Sequence, residues 1–324
     1  MEPVQCGLAH LADVAGGLRS AAADLTRATG YAVRTFGSLS GLRGIAVEST
    51  WLAAHLASYP LGLFREPIKE NGVYRTDALQ LNQRSLVVAD VAAAGTPILL
   101  VHGILDNRSV FTVFRIALRR RGFGAVHAVN YSVLTGDLRT AAQELHGHVE
   151  RLRKQTGAEK VHIVGHSLGG MIARYYVQLM GGSANVDTLV TLGSPHGGTL
   201  AAYAMPTPLA RQLRPGSDVL TELARPAPGC TTRFLVVWSR MDQMILPQRN
   251  ARLLHSDLHV EELELRDVGH LSLPIDPQTV HWVATRLAQP HTEDHPFRHR
   301  YEYLDRVRGG ACPPSPHRRD IRTE

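Results

Sequence analysis

Apolar residues in this chain gather into short runs, some broken by polar positions, and between those runs they recur every three or four positions. The runs are Ile98-Leu99-Leu100-Val101, Val126 to Tyr131, Val161-His162-Ile163-Val164, Val186 to Leu192, Phe234 to Trp238 and Val260 to Leu265. Each predicts a strand, and Ile98-Leu99-Leu100-Val101, short and wholly apolar, is of the kind buried on both faces of a sheet. The intervening spacing predicts helices over Ser109 to Arg121, over Gly136 to Gln155, and from Gly170 through Tyr176. Asp276-Pro277, a capping carboxylate followed by proline in the first turn, predicts a last helix running to about Ala288. Strands alternating with helices in this way predict an α/β fold, a mostly parallel sheet covered by helices on both faces.

Three stretches depart from that alternation. Residues 8 to about 36 place Leu8, Leu11, Ala15, Leu18, Ala22 and Leu25 on one helical stripe, interrupted by Gly16-Gly17, and a second helix is expected over Ser49 to Ser58, ending before Pro60. Their polar faces are not rich in lysine, so packing on the main domain is favoured over lying on a membrane or presenting a partner surface. Leu79 to Ala89 is mixed and compatible with a strand pair. Thr199 to Cys230, rich in Ala, Leu and Pro, has no strand-like run. Beyond Gln289, four histidines, several arginines, Gly309-Gly310 and Pro313-Pro314 show no periodicity, and a flexible tail is expected. The resulting division is a helical extension over 1–90, an α/β domain over 91–289 with an insertion at about 199–230, and a tail over 290–324.

Composition narrows the function. With 44% hydrophobic and 20% charged residues, a sizeable core is expected and global disorder is excluded. The net charge is +6, but the basic residues are scattered, and Arg119-Arg120-Arg121 reads as the solvated end of a helix. Aromatics, at 6%, do not interleave with them, so nucleic-acid binding is not expected, while weak attraction to anionic membrane surfaces is allowed. The three cysteines, Cys6, Cys230 and Cys312, have neither disulfide-framework nor zinc spacing, which favours a reducing compartment. Met1 to Cys6 lacks the features of a secretory signal, and Ile45 to Phe64 is broken as a membrane span by Glu48, His55 and Pro60. A cytoplasmic or membrane-associated protein is the expectation.

The chemistry centres on Gly165-His166-Ser167-Leu168-Gly169. An apolar strand precedes it and a helical segment follows, so Ser167 is expected on a sharp strand-to-helix turn, where glycines remove the Cβ atoms that would collide. A glycine-rich loop whose serine only caps the next helix is the alternative. A serine hydroxyl needs a base, an acid to orient that base, and donors for an oxyanion. In this strand order the acid and base should follow on loops after later strands. Asp242, beyond the run ending at Trp238, is the candidate acid, although an exposed loop aspartate would look the same in sequence. Asp218, in the irregular insertion, is less attractive. Among 17 histidines, His270 is singled out by its place after the last strand and ahead of the final helix. Asp267 could compete as a carboxylate, though a loop role suits it better. His255 and His259 precede the last strand, and His281 falls inside a helix, where partial packing is expected. The backbone N–H of Leu168 and that of Ile104, in the turn His102-Gly103-Ile104, are the candidate oxyanion donors, with His102 holding that loop by hydrogen bonds.

Val101-His102-Gly103, Gly165-His166-Ser167-Leu168-Gly169-Gly170, Gly193-Ser194-Pro195-His196-Gly197-Gly198-Thr199, Asp242 and Val268-Gly269-His270 together resemble the α/β-hydrolase superfamily, and within it bacterial triacylglycerol lipases and related esterases, over about Pro97 to Ala288. The resemblance implies hydrolysis of carboxylic esters of lipids through an acyl-enzyme, with Ser167 as nucleophile, His270 as base then acid and Asp242 as its orienter. It implies no cofactor, and it makes Thr199 to Cys230, with Tyr203, Met205, Leu209 and Leu213, the counterpart of a mobile lid. No metal ligands, including those of a calcium site, can be placed, and the first 90 residues lie outside the likeness. An acyltransferase or thioesterase would use the same triad, whereas a non-catalytic binding protein would be expected to lack one of its members. The substrate expected is an ester or lipid, with peripheral membrane contact compatible.

Overall fold

A computed structural model describes residues 95–289 apart from 105 and 132–135, together with the helical residues 46, 50 and 60 and a strand at 300–302. The expected helix over 8–36, the strand pair over 79–89 and nearly all of the helix over 49–58 lie outside the described residues.

Six strands fall where the apolar runs predict them: β1 Ile98–Val101, β2 Val126–Val129, β3 Val161–His166, β4 Val186–Leu192, β5 Arg233–Ser239 and β6 His259–Leu265. The sheet order is β2-β1-β3-β4-β5-β6, closed at its far edge by β7, Arg300–Glu302, and every pairing is parallel. Because side chains alternate across a strand, each run feeds two cores. Leu99, Val101, Ile163, Leu189, Phe234 and Val236 pack on one face against α2, Leu138–Thr156, and α3, Leu168–Leu179. Ile98, Leu100, Val164, Val190, Leu235 and Val237 pack on the other against α1, Thr112–Arg120, and α6, Pro277–Leu287. This double burial is the physical reason that the central strands, β1 above all, are apolar without alternation.

The expected start of α6 is realised in full. Asp276 caps it by accepting the Thr279 N–H at 2.8 Å, with proline in the first turn. Replacing Asp276 with alanine strands that donor, and thermal unfolding should register a loss of about 1 kcal/mol.

Two expectations are corrected. His281 is exposed on α6 rather than partly packed, because the stripe facing the core is filled by Val280, Val283, Ala284 and Leu287. Within the stretch read as a tail, Arg300–Glu302 forms β7, hydrogen-bonded to Glu261–Leu263 of β6. An open strand edge offers unpaired N–H and C=O groups to any extended segment that reaches it, and such pairing leaves no hydrophobic periodicity in the sequence.

The insertion holds only short helices, among them α4, Pro208–Arg211, and α5, Asp218–Leu223. Ala202, Leu209 and Leu213 are buried in the α2–α3 core. A polar network ties the insertion to the start of α2. Arg139 donates to Glu222 at 2.6 Å and to Asp218 at 2.8 Å, Tyr175 donates its hydroxyl proton to Glu222 at 2.6 Å, and Gln212 accepts the Leu138 N–H at 2.7 Å.

Candidate active site

β3 delivers Ser167 to the C-terminal edge of the sheet, and α3 starts at the next residue. Ser167 has φ 53° and ψ −122°, and among the described residues it alone combines a positive φ with a side chain. Such backbone strain costs about 1–3 kcal/mol and persists only where the surroundings enforce it. Here the Ser167 N–H donates to the Leu192 carbonyl on β4 at 2.9 Å. The turn is also tight enough to demand flanking glycines. A Cβ on Gly165 would lie 2.4 Å from the Cα of Gly170, and one on Gly169 would lie 2.2 Å from the Val101 carbonyl oxygen.

Asp242 and His270 come from the loops after β5 and β6. Asp242 is fully buried, and its two oxygens have different tasks. Oδ1 accepts the N–H groups of Met244 and Ile245, each at 2.8 Å, which orients the carboxylate. Oδ2 accepts from His270 Nδ1 at 2.7 Å. A carboxylate can only accept here, so the proton belongs on Nδ1 and the Nε2 lone pair is left to act as a base. His270 is held further by its own N–H, which donates to Gln243 Oε1 at 3.2 Å. The loop after β4 passes directly against the pair: a Cβ on Gly193 would sit 3.0 Å from Asp242 Oδ2 and 3.1 Å from His270 Nδ1.

The loop after β1 borders the serine from the other side. A Cβ placed on Gly103 would approach the Ser167 Cβ to 3.1 Å, which puts the turn carrying Ile104 beside Ser167. His102 holds that turn, its Nδ1 lying 2.9 Å from the Gly103 carbonyl oxygen and its ring stacked on Tyr131 at 4.4 Å between centroids. The Tyr131 hydroxyl donates to the carbonyls of Gly103 and His102 at 3.0 and 3.2 Å. Burial, reinforced by the nearby Asp106 carboxylate, raises the phenol and keeps it a donor.

The sequence offers two other acidic candidates. Asp218 is exposed and paired with Arg139, and Asp267 is half-buried. Among the described residues no group of three His, Cys, Asp or Glu side chains is placed to hold a metal, and no helix is long and apolar enough to cross a membrane.

Three supporting residues escape sequence reasoning. Tyr131 is indistinguishable from any strand-end aromatic. Arg174 lies within α3 and is buried, yet its recorded partners are all neutral: Leu223 O at 2.9 Å, Gln178 Oε1 at 3.1 Å and His196 Nδ1 at 3.4 Å. Burial lowers its guanidinium to about 9, and burial followed by Arg174 itself holds His196 neutral, well below its ordinary range. His196 passes the connection to Thr191 Oγ1 at 3.0 Å, so one cation joins α3, the end of α5 and the Ser194-Pro195-His196 loop. The third is His166, the one visible in principle, since it immediately precedes the serine at the end of an apolar strand.

Parts of the chain are similar to known proteins. A family model described as palmitoyl protein thioesterase matches residues 97–248. A triacylglycerol lipase of Burkholderia plantarii is 31% identical over 121 residues, covering 35% of this chain and 33% of the lipase. A lysosomal thioesterase of Xenopus laevis is 26% identical over 114 residues, covering 34% and 39% respectively. The chain thus spans little more than a third of the length of the curated relatives it matches. The crystal structure of Aspergillus fumigatus lipase B superposes with a TM-score of 0.52 at 16% identity, over 72% of this chain and 63% of that one. With its parallel sheet and its strand-serine-helix turn, the chain has the α/β-hydrolase fold, and over part of its length it is similar to lipases and thioesterases.

Proposed function

We propose that this protein is a serine hydrolase that cleaves carboxylic esters of apolar acyl groups. The observation that carries the reading is the 2.7 Å bond between His270 Nδ1 and the fully buried Asp242, on loops beside the strained turn of Ser167. In the proposed cycle the Ser167 hydroxyl attacks the acyl carbon and its proton passes to His270 Nε2. Asp242 stabilises the resulting imidazolium. The N–H groups of Leu168 and Ile104, with the start of α3 behind the former, receive the oxyanion. Collapse of the tetrahedral intermediate breaks the bond to the leaving oxygen, which takes the proton from His270. A water then attacks the acyl-serine by the same route in reverse order, and the free acid leaves.

A second reading is favoured by a specific finding. The thioesterase family model covers the serine turn and Asp242, and the same cycle accepts a thiolate in place of an alkoxide as leaving group. Contact with a lipid surface would be supported by Leu200, Tyr203 and Met244, whose side chains are exposed. The stretches bearing them are joined, since the Thr199 hydroxyl donates to the Met244 carbonyl at 2.7 Å and the Leu200 N–H to the Leu246 carbonyl at 2.8 Å.

The test is hydrolysis of p-nitrophenyl esters from acetyl to palmitoyl beside palmitoyl thioesters, with and without detergent. A maximum at long acyl chains on oxygen esters is expected. A maximum at acetyl or butyryl would make it a small-ester esterase, and a preference for the thioester by tenfold or more would establish the second reading. Inertness toward both, in detergent as well, would sink the proposal.

A further inference from the structure

We infer that His166 is a positioning residue for His270, holding the catalytic base in register with the nucleophile through the His270 backbone; this rests on the triad reading above. The His166 ring is buried at the end of β3, and its Nε2 lies 3.1 Å from the His270 carbonyl oxygen. A carbonyl only accepts, so Nε2 carries the proton. The two imidazoles also pack together, with centroids 4.9 Å apart and planes tilted by 42°. On its other side, His166 Nδ1 is 3.9 Å from the carboxylate of Asp106, in the segment after β1, and a Cβ on Gly103 would come within 3.5 Å of that nitrogen. One ring, joined by a single peptide bond to Ser167, therefore touches both the loop that carries the base and the loop that borders the serine.

The chemistry of the site explains why a neutral imidazole suits this place. A cation packed on His270 would oppose the imidazolium that the reaction creates. Burial, followed by the proximity of His270, pushes His166 down to about 4, although Asp106 and Asp242 pull the other way. At neutral pH it is an uncharged donor. It can thus fix the His270 backbone without adding positive charge beside the base, while Asp242 fixes the ring.

The experiment compares His166→Leu, His166→Gln and His166→Asn with wild type and Ser167→Ala. It reads kcat and KM on the best p-nitrophenyl ester, the inactivation rate by a fluorophosphonate, and the melting temperature. Leucine removes the donor, and a misplacement of the base by about 1 Å is worth on the order of 100-fold in rate. His166→Leu should therefore lose about 10- to 100-fold in kcat and in labelling rate while KM stays within about twofold. The glutamine amide reaches as far as Nε2 and should restore most of the loss, whereas the shorter asparagine should not. Wild-type kcat in a folded His166→Leu protein would overturn the inference, as would glutamine performing no better than asparagine. The second comparison decides the matter even if the leucine variant does not fold. Ser167→Ala separates the two levels. Its inactivity beside a fully active His166→Leu would remove only the positioning role, while retained activity in Ser167→Ala would remove the triad reading and this inference with it.

Discussion

Replacing Ser167 with alanine is expected to abolish ester hydrolysis, with kcat falling by about 10⁴- to 10⁶-fold, while the fold stays intact. The magnitude follows from losing the covalent route altogether. Without Oγ no acyl-enzyme forms, and what remains is whatever the oxyanion donors and substrate binding do for direct attack by water. Stability should barely change, for a reason visible in the backbone. The strain at φ 53° arises from the Cβ, which alanine keeps, and the Ser167 N–H bond to Leu192 is a main-chain contact. The melting temperature should therefore stay within a few degrees, and substrate should still bind. An alanine variant that kept even a tenth of the wild-type rate would show that the serine is not the nucleophile.

The second large effect is expected from Asp242→Asn, a change of one atom at a buried site. Asparagine keeps an oxygen for the Met244 and Ile245 N–H groups, so the loop should hold its shape. Its other terminal atom becomes an NH₂ facing His270 Nδ1 across 2.7 Å. Two donors cannot face each other, so the imidazole must present a lone pair at Nδ1 and carry its proton on Nε2. That is the wrong tautomer to accept the serine proton, and it leaves the imidazolium without its counter-charge. A fall of about 10⁴-fold in kcat is expected, with KM little affected and fluorophosphonate labelling of Ser167 slowed in parallel. A variant within tenfold of wild type would mean that Asp242 orients the loop and not the base. Because Asp242 is fully buried, its replacement could also loosen the β5 loop, and a melting curve of the variant separates the two effects.

Much of this site was legible in the chain because its parts are written locally. The turn at Ser167 requires small residues within two positions on either side, and those glycines can be read directly from the sequence, although the Val101 carbonyl that Gly169 must clear comes from a distant strand. Asp242 and His270 could be found because they follow identifiable strands, and strand identity comes from hydrophobic runs. Their mutual hydrogen bond has no sequence signature. Nor do the bonds of Tyr131 to the Gly103 turn or of Arg174 to Leu223 and His196, which join residues 28, 49 and 22 positions apart. The insertion was recognisable as an interruption, but its attachment through Arg139 to Asp218 and Glu222 was not. Charged residues at such separations carry no periodicity that would announce a partner.

By itself, then, the order of residues determined the strand and helix sequence, the parallel sheet and the place of the sharp turn at Ser167, since each of these follows from burial patterns and backbone sterics over a few residues. Tertiary structure alone decided which face each helix covers, that Arg300–Glu302 pairs with β6, that His281 is exposed, and that His166 lies between Asp106 and the His270 backbone. Those outcomes depend on distances between segments far apart in the chain. They are fixed when the sheet closes and its loops meet at one edge, after which a buried donor must take an acceptor among the groups that packing has brought within about 3 Å.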